Sequence, residues 1–275
     1  MTPRACSHSV MHLSAKLRVH DVSKTFRVRG GEGKGNSLLP VLRHVGFEVG
    51  ENEIVSLVGE SGCGKTTLLR IIQGLGRLDR GAIFVDGKEV RGPGRDRGFV
   101  FQQPSLLPWR TARRNVELGL ELQGVDAKVA SERASALLAL VGLAQSAEQY
   151  PHELSGGMQQ RIGLARALAI DPAILLMDEP FSALDAQTRE VLQRELLRIH
   201  AETRKTILFV THDLDEAIYL SDRVIVLAAK PGRVREIIAV PFRRPRPELP
   251  LLRGEKAFQD IRARMWDLIR SAAAA

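Results

Sequence analysis

Gly59-Glu60-Ser61-Gly62-Cys63-Gly64-Lys65-Thr66 fits the pattern G-x-x-x-x-G-K-[ST]. Glycines in such a run let successive backbone N–H groups turn inward around phosphate oxygens. A helix opening at the lysine adds the positive end of its dipole. In that setting Lys65 suits the β- and γ-phosphates of a nucleotide, and the Thr66 hydroxyl suits Mg²⁺. The phosphate-binding set is then Gly59, Ser61, Gly62, Cys63, Gly64, Lys65, Thr66 and Thr67. The branched apolar run IVSLV (54–58) precedes the loop and TTLLRIIQGL follows its lysine, which is the strand–loop–helix context the pattern needs.

Further along, Ile174-Leu175-Leu176-Met177 runs into Asp178-Glu179. A buried strand ending in two carboxylates can manage a metal and a water together. Asp178 suits the Mg²⁺ shell through water, and Glu179 suits a general base or polarising group for an attacking water. The segment Leu154-Ser155-Gly156-Gly157-Met158-Gln159-Gln160-Arg161 offers a second anion-binding helix start, with Ser155 as cap and the amides of Gly156 and Gly157 left open. Two phosphate-binding helix starts but one phosphate-loop lysine imply a head-to-tail dimer. Each nucleotide would lie between the loop of one chain and the SGG segment of the other, in two identical sites about a two-fold axis.

The elements that must position these groups follow from periodicity. LRVHDV (17–22), IVSLV (54–58), AIFV (82–85), GFVF (98–101), ILLM (174–177), TILFV (206–210) and VIVL (224–227) read as strands, several apolar enough to be buried on both faces of a parallel sheet. Val191, Leu192, Leu196 and Ile199 repeat at helical spacing, as do Val129, Ala134, Leu137, Leu138 and Val141. Strands alternating with helices argue for an α/β fold. From about 104 to 154 no good strand occurs, which suggests a helical subdomain inserted into the core. The Gly-rich stretch 29–40 reads as a loop and PFRRPRPELP (241–250) as a Pro-rich linker. Beyond it Phe258, Ile261, Met265, Leu268 and Ile269 form the apolar stripe of a terminal helix. No internal repeat is visible, so the chain holds one nucleotide-binding unit.

The 275 residues are 44% hydrophobic, 26% charged and 5% aromatic, which excludes fibrous and wholly disordered classes. Forty Lys+Arg against thirty-two Asp+Glu give a net charge of +8. The basic clusters near 91–97, 110–114 and 243–253 are not interleaved with aromatics, so nucleic acid is not an expected partner. No run approaches the roughly 18 apolar residues of a membrane span, and the N-terminus lacks the apolar core of a secretory signal. Cys6 and Cys63 are the only cysteines, and a disulfide at Cys63 would disrupt the phosphate loop, so a reducing compartment is expected. Met11 is a candidate alternative start, since MHLSAKLRV leads directly into the first strand.

LSGGMQQR is similar to the signature sequence of ABC-type ATPases, and it stands before the ILLMDEP run as it does in that family. Phe26, in SKTF, matches the aromatic that stacks on adenine, although many members have Tyr there. Gln102, in VFQQP, matches the glutamine that senses Mg²⁺ and water and leads into the helical subdomain. Ser182-Ala183-Leu184-Asp185 resembles the D-loop that crosses between subunits, and His212, in TILFVTHD, resembles the switch histidine that reaches the γ-phosphate. The resemblance implies a P-loop NTPase core of ABC ATPase type, with an α-helical subdomain inserted at about 103–154 and an N-terminal antiparallel β portion. It implies ATP and Mg²⁺ as cofactors, with Glu179, His212, Lys65 and Gln102 catalytic. Thr66, Gln102 and Asp178 would surround the metal, while Phe26, Ser155, Gly156, Gly157 and Asp185 join the phosphate loop in holding nucleotide. The organisation expected is a flexible N-terminal extension at 1–16, an ATPase domain at 17–240, and a Pro-rich linker with a C-terminal amphipathic helix at 241–275.

Such an ATPase needs something to move. The resemblance implies the motor of a transporter at the cytoplasmic face of the inner membrane, paired with two integral membrane permease subunits. Their coupling helices would sit in a groove of the 102–154 insert. The other reading is a soluble ABC ATPase acting on DNA or ribosomes; those usually carry tandem ATPase units, zinc-binding insertions or long coiled coils, and two cysteines alone cannot build a zinc site. A P-loop kinase would leave LSGGMQQR unexplained. Separate motor and membrane chains resemble bacterial importers, in which an extracytoplasmic binding protein delivers the solute. PSLLPWRTARRNVELGLELQGV resembles the nitrate, sulfonate and taurine importer group, where Leu-Leu-Pro-Trp recurs at this place. An importer of a different solute is the alternative.

Overall fold

The computed structural model describes residues 15–28 and 37–273. Cys6, Met11, the extension at 1–16 apart from its last two residues, and 29–36 of the Gly-rich stretch lie outside them. In chain order the described elements are β1 (Leu17–Val28), β2 (Ser37–Val49), β3 (Ile54–Gly59), α1 (Lys65–Gln73), β4 (Arg80–Val85), β5 (Lys88–Glu89), β6 (Arg97–Val100), α2 (Ala112–Leu122) and α3 (Ala127–Leu140). There follow α4 (Gly156–Ala169), β7 (Ile174–Asp178), α5 (Ala186–Thr203), β8 (Thr206–Val210), α6 (Leu214–Leu220), β9 (Arg223–Ala228), β10 (Arg233–Ala239), α7 (Leu249–Arg253) and α8 (Lys256–Ala273).

The strands form two sheets. One is antiparallel in the order β2-β1-β4-β5; the other runs β10-β9-β3-β8-β7-β6, parallel except for the antiparallel edge β10. The apolar runs explain the second sheet. Along β3, Val55 and Leu57 point into one core while Ile54 and Val58 point into the other. In β8, Leu208 and Val210 part from Ile207 and Phe209 in the same way, and in β7 Ile174 and Leu176 part from Leu175 and Met177. A period of two with both faces buried is why these strands read as unbroken apolar runs. Leu68, Leu69, Ile71 and Ile72 of α1 fill the layer between the two sheets. The opposite face of the parallel sheet is covered by α4, α5, α6 and α8, with α2 and α3 packed on α4.

Several details differ from the sequence reading. The stretch expected as loop to residue 40 is strand from Ser37, because Leu38, Leu39 and Pro40 pair with Arg27, Phe26 and Thr25. Pro40 is tolerated because β2 is the edge strand of its sheet, and the bridge on its outer side to Gly232 starts only at Val41. Edge strands β2, β5 and β10 carry exposed or mixed residues and so gave no apolar run. The buried stripe of α3 is Ala130, Ala134 and Leu138, leaving Val129 exposed; in α5 Leu192, Leu196 and Ile199 are buried and Val191 is exposed. The rest of each expected stripe is turned to the core, including Val141 at the end of α3, so only its rim residue differs. The linker expected over 241–250 turns helical at Leu249, and α8 is seated through buried Phe258 and Met265.

Candidate functional site

β3, β8 and β7 lie side by side and parallel, and their carboxyl ends are level: Leu57 and Asp178 both pair with Val210. The carboxyl edge of such a sheet is where the loops of an α/β fold leave room for a ligand. Here the edge carries Gly59, Asp178-Glu179 and Thr211-His212.

The phosphate loop leaves β3 at Gly59 and enters α1 at Lys65. Gly64 is the cap residue, left-handed at φ 97°, and a Cβ there would lie 2.7 Å from the Leu42 side chain. Only glycine meets both demands. Lys65 is 7% exposed, and its Nζ donates to the carbonyls of Gly59 and Glu60 at 2.8 and 2.9 Å. The ammonium is thus folded back on the loop, with its charge available to an anion arriving there. Ser61, Gly62 and Thr66 are exposed, Thr67 is half-buried, and the Cys63 side chain is fully buried. Cys63 can therefore serve an anion only through its backbone, and burial pushes its thiol pKa up against the lowering influence of Lys65.

Thr66 Oγ1 donates to Asp178 Oδ1 at 3.2 Å, joining α1 to the end of β7. Burial raises the Asp178 pKa; the Thr66 hydrogen bond opposes this and the neighbouring Glu179 adds to it. A hydroxyl and a carboxylate oxygen this close suit Mg²⁺, which binds few protein oxygens and keeps waters and phosphate oxygens for the rest of its shell. Among the described residues no group of three or more His, Cys, Asp or Glu could hold a metal unaided. Glu179 follows at φ 46°, a left-handed backbone that is costly for a non-glycine residue, and its N–H donates to Val210 O at 3.0 Å. Its Oε2 lies 3.2 Å from His212 Nδ1.

Gln102 stands apart from the Thr66–Asp178 pair. It is exposed, and its Nε2 donates to Ser182 Oγ at 3.1 Å, while Ser182 Oγ donates to the Glu179 carbonyl at 3.0 Å. Its link to the carboxylates runs through Ser182, a residue the sequence marked only as part of a loop. α4 pins the Gln102 loop, since Gln160 Nε2 donates to Phe101 O and Arg166 to the carbonyls of Pro104 and Ser105.

Ser155 caps α4, accepting from Met158 N at 3.3 Å. Ser155 and Gly156 are exposed, and Gly157 packs so closely on α5 that a Cβ would lie 2.8 Å from Thr188 Cγ2. Asp185 is spent as the cap of α5, accepting from Thr188 N at 3.0 Å. These residues form a second cluster, bonded to α4 and α5 and not to the phosphate loop. Phe26 is 44% exposed on β1, with Lys24 Nζ 5.2 Å from its ring centroid. It pairs with Leu39, two residues before Val41, whose side chain abuts Gly64.

Sequence reasoning missed the support beneath His212. Thr211 Oγ1 donates to Glu216 Oε2 at 2.6 Å, Asp213 N donates to Thr211 Oγ1 at 3.0 Å, and the Asp213 carboxylate caps α6. Burial pushes the Glu216 pKa up to about 7. A Thr and a Glu flanking the histidine five residues apart, with Asp at the cap, was the available signal.

The family described as "ABC transporter" matches residues 42–182. The chain is 48% identical to a taurine import ATP-binding protein of Rhizobium johnstonii, over 79% of this chain and 81% of that one. It is 46% identical to a nitrate import ATP-binding protein of Synechocystis sp., over 82% of each. To an aliphatic sulfonates import ATP-binding protein of Bacillus cereus it is 40% identical, over 90% and 94%. A dimeric ATP-binding cassette solved in a post-hydrolysis state with ADP and Pi has a TM-score of 0.69 at 34% identity, covering 82% of this chain and 98% of that one.

Proposed function

The chain belongs to the ABC transporter family, and from that premise we propose that it is the ATP-hydrolysing motor of an importer for a small anion such as a sulfonate, taurine or nitrate. The observation that carries the reading is the level edge of β3, β8 and β7, where a phosphate loop faces the carboxylates of Asp178 and Glu179 and the ring of His212.

In this reading Lys65 turns from the Gly59 and Glu60 carbonyls to the β- and γ-phosphates of ATP, and Phe26 offers its exposed ring to the adenine. Thr66 and Asp178 would hold Mg²⁺, which when bound neutralises charge on the phosphates. Glu179 takes the proton of the attacking water, and His212 orients that carboxylate and reaches the γ-phosphate. Gln102 reports on the site through Ser182. Ser155, Gly156, Gly157 and Asp185 lie in the second cluster, so they would meet the nucleotide of another copy in a head-to-tail dimer. The similar cassette with ADP and Pi is itself dimeric.

Among the described residues no helix is long and apolar enough to cross a membrane. In this reading transport falls to two integral membrane permease subunits, fed by an extracytoplasmic binding protein, with this chain at the cytoplasmic face, as the importer names of its relatives suggest. Trp109 is 71% exposed beside Arg110, Arg113 and Tyr150 in an open groove of the helical region, and it suits a docking helix of such a subunit.

Growth of a deletion strain tests the reading, with taurine or an alkanesulfonate as sole sulfur source in one arm and nitrate as sole nitrogen source in the other. The expected result is failure in one arm, rescued by the wild-type chain and not by Lys65→Ala. Normal growth in both arms removes the solute class.

A further inference from the structure

α6 follows His212 directly, and the C-terminal segment grips it at both ends. At its last turn the carbonyls of Ile218, Tyr219 and Leu220 have no partner within the helix, as at any helix end. Arg246 donates to Ile218 O at 2.9 Å, to Tyr219 O, and to Ser221 O at 2.6 Å; Arg244 donates to Leu220 O at 2.7 Å. Two cations at the negative end of the helix also complement its dipole. Burial brings the Arg246 pKa down to about 10, with neighbouring Arg244 adding to the effect, so its guanidinium stays charged at neutral pH.

At the first turn of α6, Asp215 is only 17% exposed and is met from outside by two arginines. Arg253 Nε lies 2.7 Å from Asp215 Oδ2, and Arg262 Nε lies 2.8 Å from Asp215 Oδ1. Arg253 ends α7 and Arg262 stands on α8, which is anchored by Phe258 and Met265. On its inner side the same turn is tied to the histidine loop, through the Thr211–Glu216 bond and the Asp213 cap. The connection is continuous: α7 and α8, Asp215, the first turn of α6, Thr211, His212.

We propose that Asp215, Arg253 and Arg262 are positioning residues for ATP hydrolysis, through which the C-terminal segment sets the place of His212 against Glu179. The inference rests on the role given to His212 above. Loss of the two arginines loosens the first turn of α6 while leaving the phosphate loop on β3 untouched. It therefore lowers kcat and leaves binding of ATP alone.

The test uses the purified full chain. Arg253 and Arg262 are exposed, so the variant Arg253→Ala/Arg262→Ala is expected to fold. Its kcat should fall about tenfold, within the ~100-fold that a misplacement of about 1 Å can cost. KM for ATP should stay within about twofold, since uniform binding is unaffected. Arg253→Lys/Arg262→Lys should restore kcat, and hydrogen exchange over 211–217 should quicken in the alanine pair only. In a His212→Ala background the alanine pair should lower kcat no further. Wild-type kcat in the alanine pair, with His212→Ala reduced to a small residual turnover, overturns the inference and leaves the role of His212 standing. Wild-type kcat in His212→Ala overturns both. A fall in kcat that the lysine pair does not restore, with an equal rise in KM, also overturns it.

Discussion

His212 Nδ1 lies 3.2 Å from Glu179 Oε2, across the ends of the adjacent strands β8 and β7. Neither residue reaches the other by chance of sequence. Glu179 is turned out of the sheet by its left-handed backbone at φ 46°, a conformation that costs on the order of 1–3 kcal/mol and is held by the bond from its N–H to Val210 O. His212 is carried by the short connection from Val210 to α6. The imidazole lies within hydrogen-bond reach of the carboxylate at the ends of β7 and β8, and the left-handed turn at Glu179 carries that residue out of the plane of its strand.

Glu179→Gln keeps the shape and a hydrogen bond to His212 but cannot accept a proton. ATP turnover should fall by about 10²- to 10⁴-fold, the usual worth of a general base, while ATP still binds. Size-exclusion chromatography with ATP and Mg²⁺ should then show the variant held as a dimer. Turnover at the wild-type level would take Glu179 out of the reaction.

Glu216 gives a pH dependence whose sign can be worked out. Its carboxyl is buried and faces Thr211, Asp213 and Arg189, with Glu179 beyond, and its Oε1 has no partner. Burial raises its pKa from an ordinary 4.5 to about 7, so the folded protein holds a proton there that the unfolded chain has released. Its contribution to stability is complete below about pH 4.5 and is lost as pH rises to about 7, for a total of about 3 kcal/mol. Glu216→Gln mimics the protonated form and removes this term. Urea unfolding of the two proteins should give stabilities that diverge in favour of the variant between pH 4.5 and 7. Parallel curves would mean that Glu216 titrates normally.

The parallel sheet and the residues at its edge were legible because their chemistry is local. A strand buried on both faces is one apolar run, and the phosphate loop and the Asp178-Glu179 pair are each contiguous in sequence. What stayed hidden depends on partners distant in sequence. Arg244 and Arg246 look like charges in a Pro-rich linker until the carbonyls of α6 are set beside them. Ser182 looks like a loop residue until Gln102 donates to it. The strand β2 was missed because an edge strand needs apolar residues on one side only, and Arg43, His44 and Gly46 break its pattern. The exposure of one expected residue in each of α3 and α5 has another cause. Val129 and Val191 are apolar residues at the rim of a helical face, where composition does not say which side turns to the core.

Cys63 tests the geometry of the phosphate loop itself. Its Sγ is buried, and a Cβ on Gly59 would approach it to 2.9 Å, so the thiol packs behind the loop rather than facing the phosphates. Its raised pKa leaves little thiolate at neutral pH, although Lys65 Nζ stands 3.8 Å away. Alkylation by iodoacetamide at pH 7 should be at least about tenfold slower in the folded protein than in urea, since both access and thiolate fraction fall. ATP with Mg²⁺ should slow it further by closing the loop over the sulfur. Cys63→Ala should leave KM for ATP within about twofold and cost about 1 kcal/mol of stability for the small cavity it opens. Mass spectrometry of peptides spanning 54–70 reads the modification directly. Rapid alkylation indifferent to nucleotide would mean that the sulfur faces the site, and a tenfold rise in KM for Cys63→Ala would say the same.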